Sequence, residues 1–432
     1  MTRQLFRARR LVDGSGATID YGAVLIAGDT IEAVGRAAEV GEPDGVETID
    51  LGDSTLLPGL IDVHSHVTFP GDMRIVEQVR THDTEAMLAQ GRATAADLLT
   101  AGVTTVRDLG ALGDVAFRLT EEIASGRALG PQIVPSTAQI TSVNGPNSPV
   151  GGGCPPDLAG CIERIDADAE QGARVVKIIA TGSVTDTSSD PTQPVFDDST
   201  VAGMVEHAHR LGMRVAAHAH GSAGIAQAAR CGVDSIEHAS FLTRVDVTDA
   251  ATPDAPSAAR LTSWPDADVM AVLRAHRPWM VPTMAASFAH SQVERVTPLS
   301  LRDFAHRLQV GRLLLEHGLS LVAGTDGGSP GVPHLSLVAE IEQLHGLGMT
   351  TMDAVLGATA HAAACLGLSD RGLLRQGLRA DLIAVPNDPL RHLDVLRAPS
   401  LVVIGGRTVH RVQLQPIPRD AALPRATGED SA

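Results

Sequence analysis

Aromatic side chains are scarce in this chain: seven Phe, two Trp and one Tyr among 432 residues. Basic residues are outnumbered, 34 Lys+Arg against 51 Asp+Glu, which leaves a formal net charge of −17. So acidic a surface repels phosphate backbones and argues against a nucleic-acid partner. No run approaches the ~18 consecutive apolar residues that a membrane span requires. Cysteine is rare too, and Cys154, Cys161, Cys231 and Cys365 are too scattered for a CxxC metal or redox pair. Residues 1–14 carry basic side chains but no apolar core or small-residue cleavage site, so they do not read as a signal peptide. The expectation is a cytoplasmic protein with reduced thiols. What the chain does have is the composition of a folded protein, 44% hydrophobic and 20% charged, and 17 histidines.

Both ends of the chain are strand-like: 5–11, 23–27, 30–34 and 48–50 at the start, 380–386 and 401–412 at the finish. Between them, apolar runs at 60–63, 104–107, 132–136, 175–180, 214–217, 234–236, 279–282 and 319–323 alternate with helical segments. The clearest helices fall at 85–100, 199–211, 301–317 and 350–366, with Gly212 and Gly318 placed as stops. Eight alternations predict an α/β fold, a (β/α)8 TIM barrel over 59–368. The pieces 1–58 and 369–420 then pair into a small composite β-sandwich domain, and 421–432 is a flexible tail. Two doubly wound domains would give the same alternation. The connections 139–157, 181–198 and 243–265 are long for βα loops and, on a barrel, belong to the active-site face.

The histidines fall where such a barrel would use them. His64 and His66 end the first run in PGLIDVHSHV, and residues two apart on a strand point the same way. Alone, HxH reads as two polar residues at a strand end. Here Lys177 ends the fourth run, His218 the fifth, His238 the sixth and Asp326 the eighth. Imidazole and carboxylate groups gathered on one rim suit divalent metals with a position left open for water. Lys177 as an ammonium would be repelled by metals. In a dry site its lowered pKa frees the amine, which CO2 can convert to a carbamate, an anionic bridging ligand. The plain alternative is a lysine paired with a nearby acid.

These motifs, with VTTVRDLG, VVKIIATGSV, VAAHAHG, IEHASF and GTD, resemble the metal-dependent amidohydrolase superfamily along essentially the whole chain. The nearest likeness is to the subset holding imidazolonepropionase-related enzymes, Xaa-Pro and Xaa-Arg dipeptidases and fungal ochratoxinase. The resemblance implies two divalent metal ions, zinc foremost, and a CO2-derived carbamate on Lys177 bridging them. It assigns His64, His66 and Asp326 to the more buried ion, and His218 and His238 to the second. It further implies attack by a bridging hydroxide, Asp326 acting as general base and then acid, and a homo-oligomer. His220 lies on the same face as His218; the family register makes His218 the ligand and leaves His220 facing the substrate in a catalytic role. Dipeptidases of this subset often have a His after strand three, where this chain has TSVNGPN, and that departure puts dipeptide specificity in doubt.

Several residues read as substrate contacts: Arg107 for a carboxylate, unless it pairs with Asp108 or another acid, together with Asn144 and His334. Phe69, Phe196, Phe241, Trp264 and Phe288 follow the first, fourth, sixth and seventh runs. Half the aromatics at one face predicts a partly hydrophobic pocket, with Phe69 and Phe241 against the substrate. His207 and His209 point to different sides of a helix and cannot chelate. The function expected is hydrolysis of an amide C–N bond in a small molecule such as an N-acyl amino acid, dipeptide or aryl amide. Cyclic amides of imidazolone type, carbamates and ureas fit the same centre, and a non-catalytic scaffold on this fold is the alternative from another class.

Overall fold

A computed structural model of the chain describes residues 2–72, 74–148, 153, 157–184, 189–246, 259–291 and 304–412. The tail expected at 421–432 lies outside the described residues, as does the middle of the 243–265 segment. In chain order the strands are β1 (Arg3–Val12), β2 (Thr18–Ala27), β3 (Thr30–Arg36), β4 (Glu47–Asp50), β5 (Ser54–Pro58), β6 (Leu60–Ser65), β7 (Val103–Asp108) and β8 (Gln132–Pro135). There follow β9 (Val175–Ile179), β10 (Arg214–Gly221), β11 (Ser235–Asp246), β12 (Ala259–Ser263), β13 (Trp279–Val281), β14 (Leu382–Pro386), β15 (Leu401–Ile404) and β16 (Arg407–Arg411). The chain divides into two compact units, one holding the residues up to Pro58 and those from Leu373 onward, the other Gly59–Gly372.

The first unit is one eight-stranded sheet in the order β16-β15-β14-β5-β1-β2-β3, with β4 on β1. Alternation along β1 sends Phe6 and Leu5 to opposite faces and into different apolar clusters. Ile31 of β3 and Val403 of β15, far apart along the sheet, share the Phe6 cluster, so the sheet curls around one core.

In the second unit β6, β7 and β8 run parallel, as do β9, β10, β11 and β13, while β12 returns antiparallel along β11. Bonds between successive parallel strands continue beyond these sheets. Past the end of β8, the Thr137 N–H donates to Val175 O and the Ile140 N–H to Lys177 O of β9, each at 2.8 Å. The expected eighth strand, 319–323, forms single bridges instead of a ladder. Val322 N–H donates to Met280 O of β13 at 3.0 Å, and Ala323 O accepts from Val63 N–H of β6 at 3.1 Å. Gly324 follows at a point where a Cβ would meet Val281 at 2.5 Å and His64 at 2.8 Å. The segment is wedged between two strands and turns away before a ladder can grow.

Two other expectations change. The connection after the sixth run is in part a hairpin, because β11 extends to Asp246 and pairs with β12. The helix expected at 350–366 is two helices, Thr351–Gly357 and Ala360–Leu366. Thr359 separates them with non-helical φ −136° and ψ −99°, and its hydroxyl donates back to Val355 O at 2.9 Å. The helices Thr84–Thr100, Asp198–Arg210 and Phe304–Glu316 lie where periodicity puts them. No helix among the described residues is long and apolar enough to cross a membrane.

Candidate metal centre

His64 lies in strand β6 and His66 just past its end, both buried. Their outer nitrogens are already committed. His64 Nδ1 donates to Glu237 Oε2 at 2.8 Å, and His66 Nδ1 donates to Gly110 O at 2.9 Å. Each ring turns its Nε2 inward, and both Nε2 atoms lie 3.4 Å from Asp326 Oδ1. The GTDGG turn makes this possible. Asp326 takes φ +59°, anchored by Thr325, whose hydroxyl donates to Asp62 Oδ2 at 2.7 Å. At Gly328, with φ +96°, a Cβ would sit 2.2 Å from His66 O, so only glycine allows the turn to close on β6.

A second group stands beside the first. The ligand atoms of His218, His220 and His238 all lie within 4.8 Å of one another, as do those of His64, His66 and Asp326. The His64 and His238 ring centroids, 5.2 Å apart, link the two groups. His238 Nδ1 bonds Thr283 Oγ1 at 3.0 Å, and His220 Nδ1 bonds Ser240 Oγ at 2.7 Å. His218 Nε2 is buried without a hydrogen-bond partner among the described residues. Both groups and Lys177 line one cavity of about 740 Å³.

Protonation favours lone pairs on His64, His218 and His238, whereas at His66 the Asp326 carboxylate outweighs burial and raises the pKa. Burial disfavours the imidazolium form and the Lys177 charge adds to it, holding His64 near pKa 4 and His218 near 3. Burial and the neighbouring imidazoles put His238 well below its ordinary value. Burial raises the Asp326 carboxyl, but His64 and His66 outweigh it and keep the group ionised well below the usual range. Burial pulls Lys177 down to about 8, with Glu237 and Asp326 opposing. On that value ~10% is free amine at pH 7. Two convergent imidazole nitrogens facing a carboxylate oxygen, beside three more imidazoles of which one has an orphaned nitrogen, fit divalent cations of the zinc, manganese, iron or cobalt type.

The remaining predicted residues fare unevenly. Phe69 lines the cavity and stacks on His66, centroids 5.2 Å apart and planes 9° from parallel. Asn144 lines it too, in a left-handed turn with φ +57°. Arg107 does not reach the cavity: it is fully buried, donating to Glu237 Oε1 at 2.9 Å, Ser235 Oγ at 3.1 Å and Val63 O. Its partner is Glu237 and not Asp108, whose oxygens accept from Val67 and Gly110 N–H groups. Phe241 is likewise fully buried, since the loop expected there is strand. His334 stands behind Phe69, bonding its carbonyl at 2.8 Å. Phe196 and Trp264 do not line the cavity, and the Phe288 side chain lies outside the described residues. His207 and His209 bond Asp166 and Asp234. Missed in the sequence were Gln139, Arg307, Ser240 and Thr283, which line the cavity, and Glu237, which orients His64. Glu237 stood next to His238 in SIEHAS, and a ligand's need for an orienting acid was the available signal.

A profile of the amidohydrolase family matches residues 55–409. The chain belongs to the amidohydrolase family. It is similar to ochratoxinase of Aspergillus niger, with 26% identity over 455 aligned residues covering 96% of this chain and 88% of that one. To imidazolonepropionase of Paracoccus denitrificans it is 28% identical, over 85% of this chain and 88% of that one. Among solved structures, a Xaa-Pro dipeptidase with methionine bound in its active site superposes with a TM-score of 0.80. That match has 26% identity and covers 95% of this chain and 100% of the dipeptidase. The family and its enzyme relatives make this chain a hydrolase of the amidohydrolase type.

Proposed function

We propose that this enzyme is a two-metal hydrolase of small, partly hydrophobic amides. One observation carries the reading: two ligand groups and Lys177 open into a single cavity. The fold belongs to the same proposal, the parallel strands closing into a ring of eight with 319–323 as its last member. The bonds from Val322 to Met280 and from Val63 to Ala323 support that closure.

His64, His66 and Asp326 would hold one ion and His218 with His238 the other, and Lys177, as its carbamate, would be a further ligand. The ions, when bound, supply charge that polarises a carbonyl and lowers the pKa of water. The protein does the rest. Asp326, ionised and fixed by the Ser329 hydroxyl at 2.6 Å, takes the proton of the attacking water and passes it to the leaving nitrogen. Glu237 keeps the His64 lone pair aimed inward, and Gly110 O does the same for His66. Phe69, Ile75, Val79, Ile179 and Val184 give the cavity an apolar wall, and Asp326 is the one carboxylate among the described residues lining it. A substrate cation would find no further counter-charge there, so neutral or anionic amides with an apolar flank fit best.

The ochratoxinase and dipeptidase names of its relatives agree with amide cleavage. The test is turnover of N-acyl amino acids and aryl amides after chelation and after readdition of zinc. Hydrolysis lost with chelator and restored by metal is expected. No hydrolysis of any amide by the metal-loaded protein would overturn the reading.

A further inference from the structure

The end of β11 follows a backbone path that side chains rarely take. His238 has φ +68°, Ala239 +48° and Phe241 +53°, and facing them Thr283 has φ +47°. Each such residue costs on the order of 1 kcal/mol or more, so the segment persists only if something holds it.

Besides the ladders to β10 and β12, Arg307 bonds it directly. This arginine of the Phe304–Glu316 helix is 4% exposed. Nη2 donates to His238 O and to Pro282 O, each at 2.7 Å. Nη1 donates to Ala239 O at 3.3 Å and Ser240 Oγ at 3.1 Å. One planar fork thus ties the end of β11 to the residues after β13, where Thr283 orients the His238 ring.

Ser240 extends this hold to a second histidine. Its Oγ accepts from Arg307, which leaves the hydroxyl hydrogen to be donated elsewhere. His220 Nδ1 lies 2.7 Å from this Oγ, and a hydroxyl donating there would make that nitrogen the acceptor. A neutral imidazole accepting at Nδ1 carries its proton on Nε2. Such a nitrogen donates a hydrogen bond and cannot ligate a cation.

We propose that Arg307 is the positioning residue of the three-histidine group. It pins the left-handed backbone that carries His238 and, through Ser240, makes His220 an N–H donor to the substrate instead of a third ligand. The inference rests on the two-metal reading above, and the experiment separates the two.

The measurement is zinc content and zinc affinity of the purified protein, its Arg307→Met variant and the Arg307→Met/Ala239→Gly double variant. Wild type should hold two ions. Arg307→Met should keep one tightly and bind the other 10- to 100-fold more weakly, the usual effect of removing an orienting partner. Glycine at 239 takes positive φ without steric cost and should restore the second ion. General loosening of the fold would not be repaired that way. If Arg307→Met does not fold, Arg307→Lys, which reaches fewer of the four acceptors, is tested with and without Ala239→Gly. Ser240→Ala, which leaves the backbone bonds in place, should keep both ions but lose about tenfold in kcat.

A wild type holding fewer than two ions would sink the two-metal reading itself. Wild-type zinc affinity in Arg307→Met, or no rescue by Ala239→Gly, would overturn the positioning role alone. An unchanged kcat in Ser240→Ala would overturn the role given to His220.

Discussion

The Nδ1 of His64 lies 2.8 Å from Glu237 Oε2, and both side chains are buried from solvent. The other oxygen of Glu237 accepts from Arg107 at 2.9 Å, so one carboxylate joins a candidate ligand to a buried cation. Burial alone would raise the Glu237 pKa, but Arg107 and His64 hold it near 2. Removing the acid should therefore act twice. Glu237→Gln should weaken zinc binding by 10- to 100-fold, measured by competition with a chelator. Glu237→Leu should also lower stability by about 3–5 kcal/mol in denaturant unfolding, because Arg107 is left buried and unpaired. Equal zinc affinity in Glu237→Gln would contradict the role given to Glu237.

Two phenylalanines that looked equivalent in sequence should part company. Phe69 is also buried but lines the cavity and stacks on His66, so Phe69→Ala should raise KM severalfold beyond what its loss of stability explains. Phe241 is fully buried, and Phe241→Ala should cost about 3–5 kcal/mol of stability. Matching effects in kinetics and melting would show that this division is wrong.

Gln139 is 5% exposed, lines the cavity, and has an Oε1 without a hydrogen-bond partner among the described residues. An acceptor so placed suits a substrate N–H. Gln139→Leu should raise KM roughly two- to tenfold for a secondary amide, the worth of one uncharged hydrogen bond, and leave its N-methyl counterpart unaffected. Equal losses on both substrates would rule out that contact.

Away from the site, Glu340 predicts a pH dependence of stability. Burial pushes its pKa from 4.5 to about 8, and its Oε2 accepts from the Ala285 N–H at 2.6 Å. Below pH 4.5 folded and unfolded chains both carry the proton and the group costs nothing. Between those values only the folded chain keeps it, so stability falls by about 1.4 kcal/mol per pH unit, and the full cost is present above the folded pKa. Glu340→Gln removes the dependence. Its melting temperature relative to the parent should climb steadily from pH 5 to pH 8; a constant difference would contradict the assignment.

Much of this site was legible in the chain because strand periodicity is short and strict. HSH, the strand-end Lys177, HAH, EH and GTD each follow an apolar run, and alternation alone puts them on one rim. What could not be read were contacts made by the path of the chain between runs. Arg107 looked like a carboxylate binder because nothing in VRDLG reveals that Glu237 waits on β11, in a different sheet. Phe241 looked loop-borne because the pairing of β11 with β12 depends on residues some twenty positions apart. Arg307 gave no sign at all, since a helical arginine is ordinarily a surface group and its four acceptors come from other elements. The run at 319–323, expected as an eighth strand, forms only single bridges, and Gly324 just after it packs close to Val281 and His64.

Lys177 would help to hold both ions, and metal content tests that role. Purified wild type should carry close to two divalent ions per chain. Lys177→Ala, folded by its circular dichroism and melting profile, should carry one or fewer and have no amide hydrolysis. Two ions and full activity in Lys177→Ala would contradict the account.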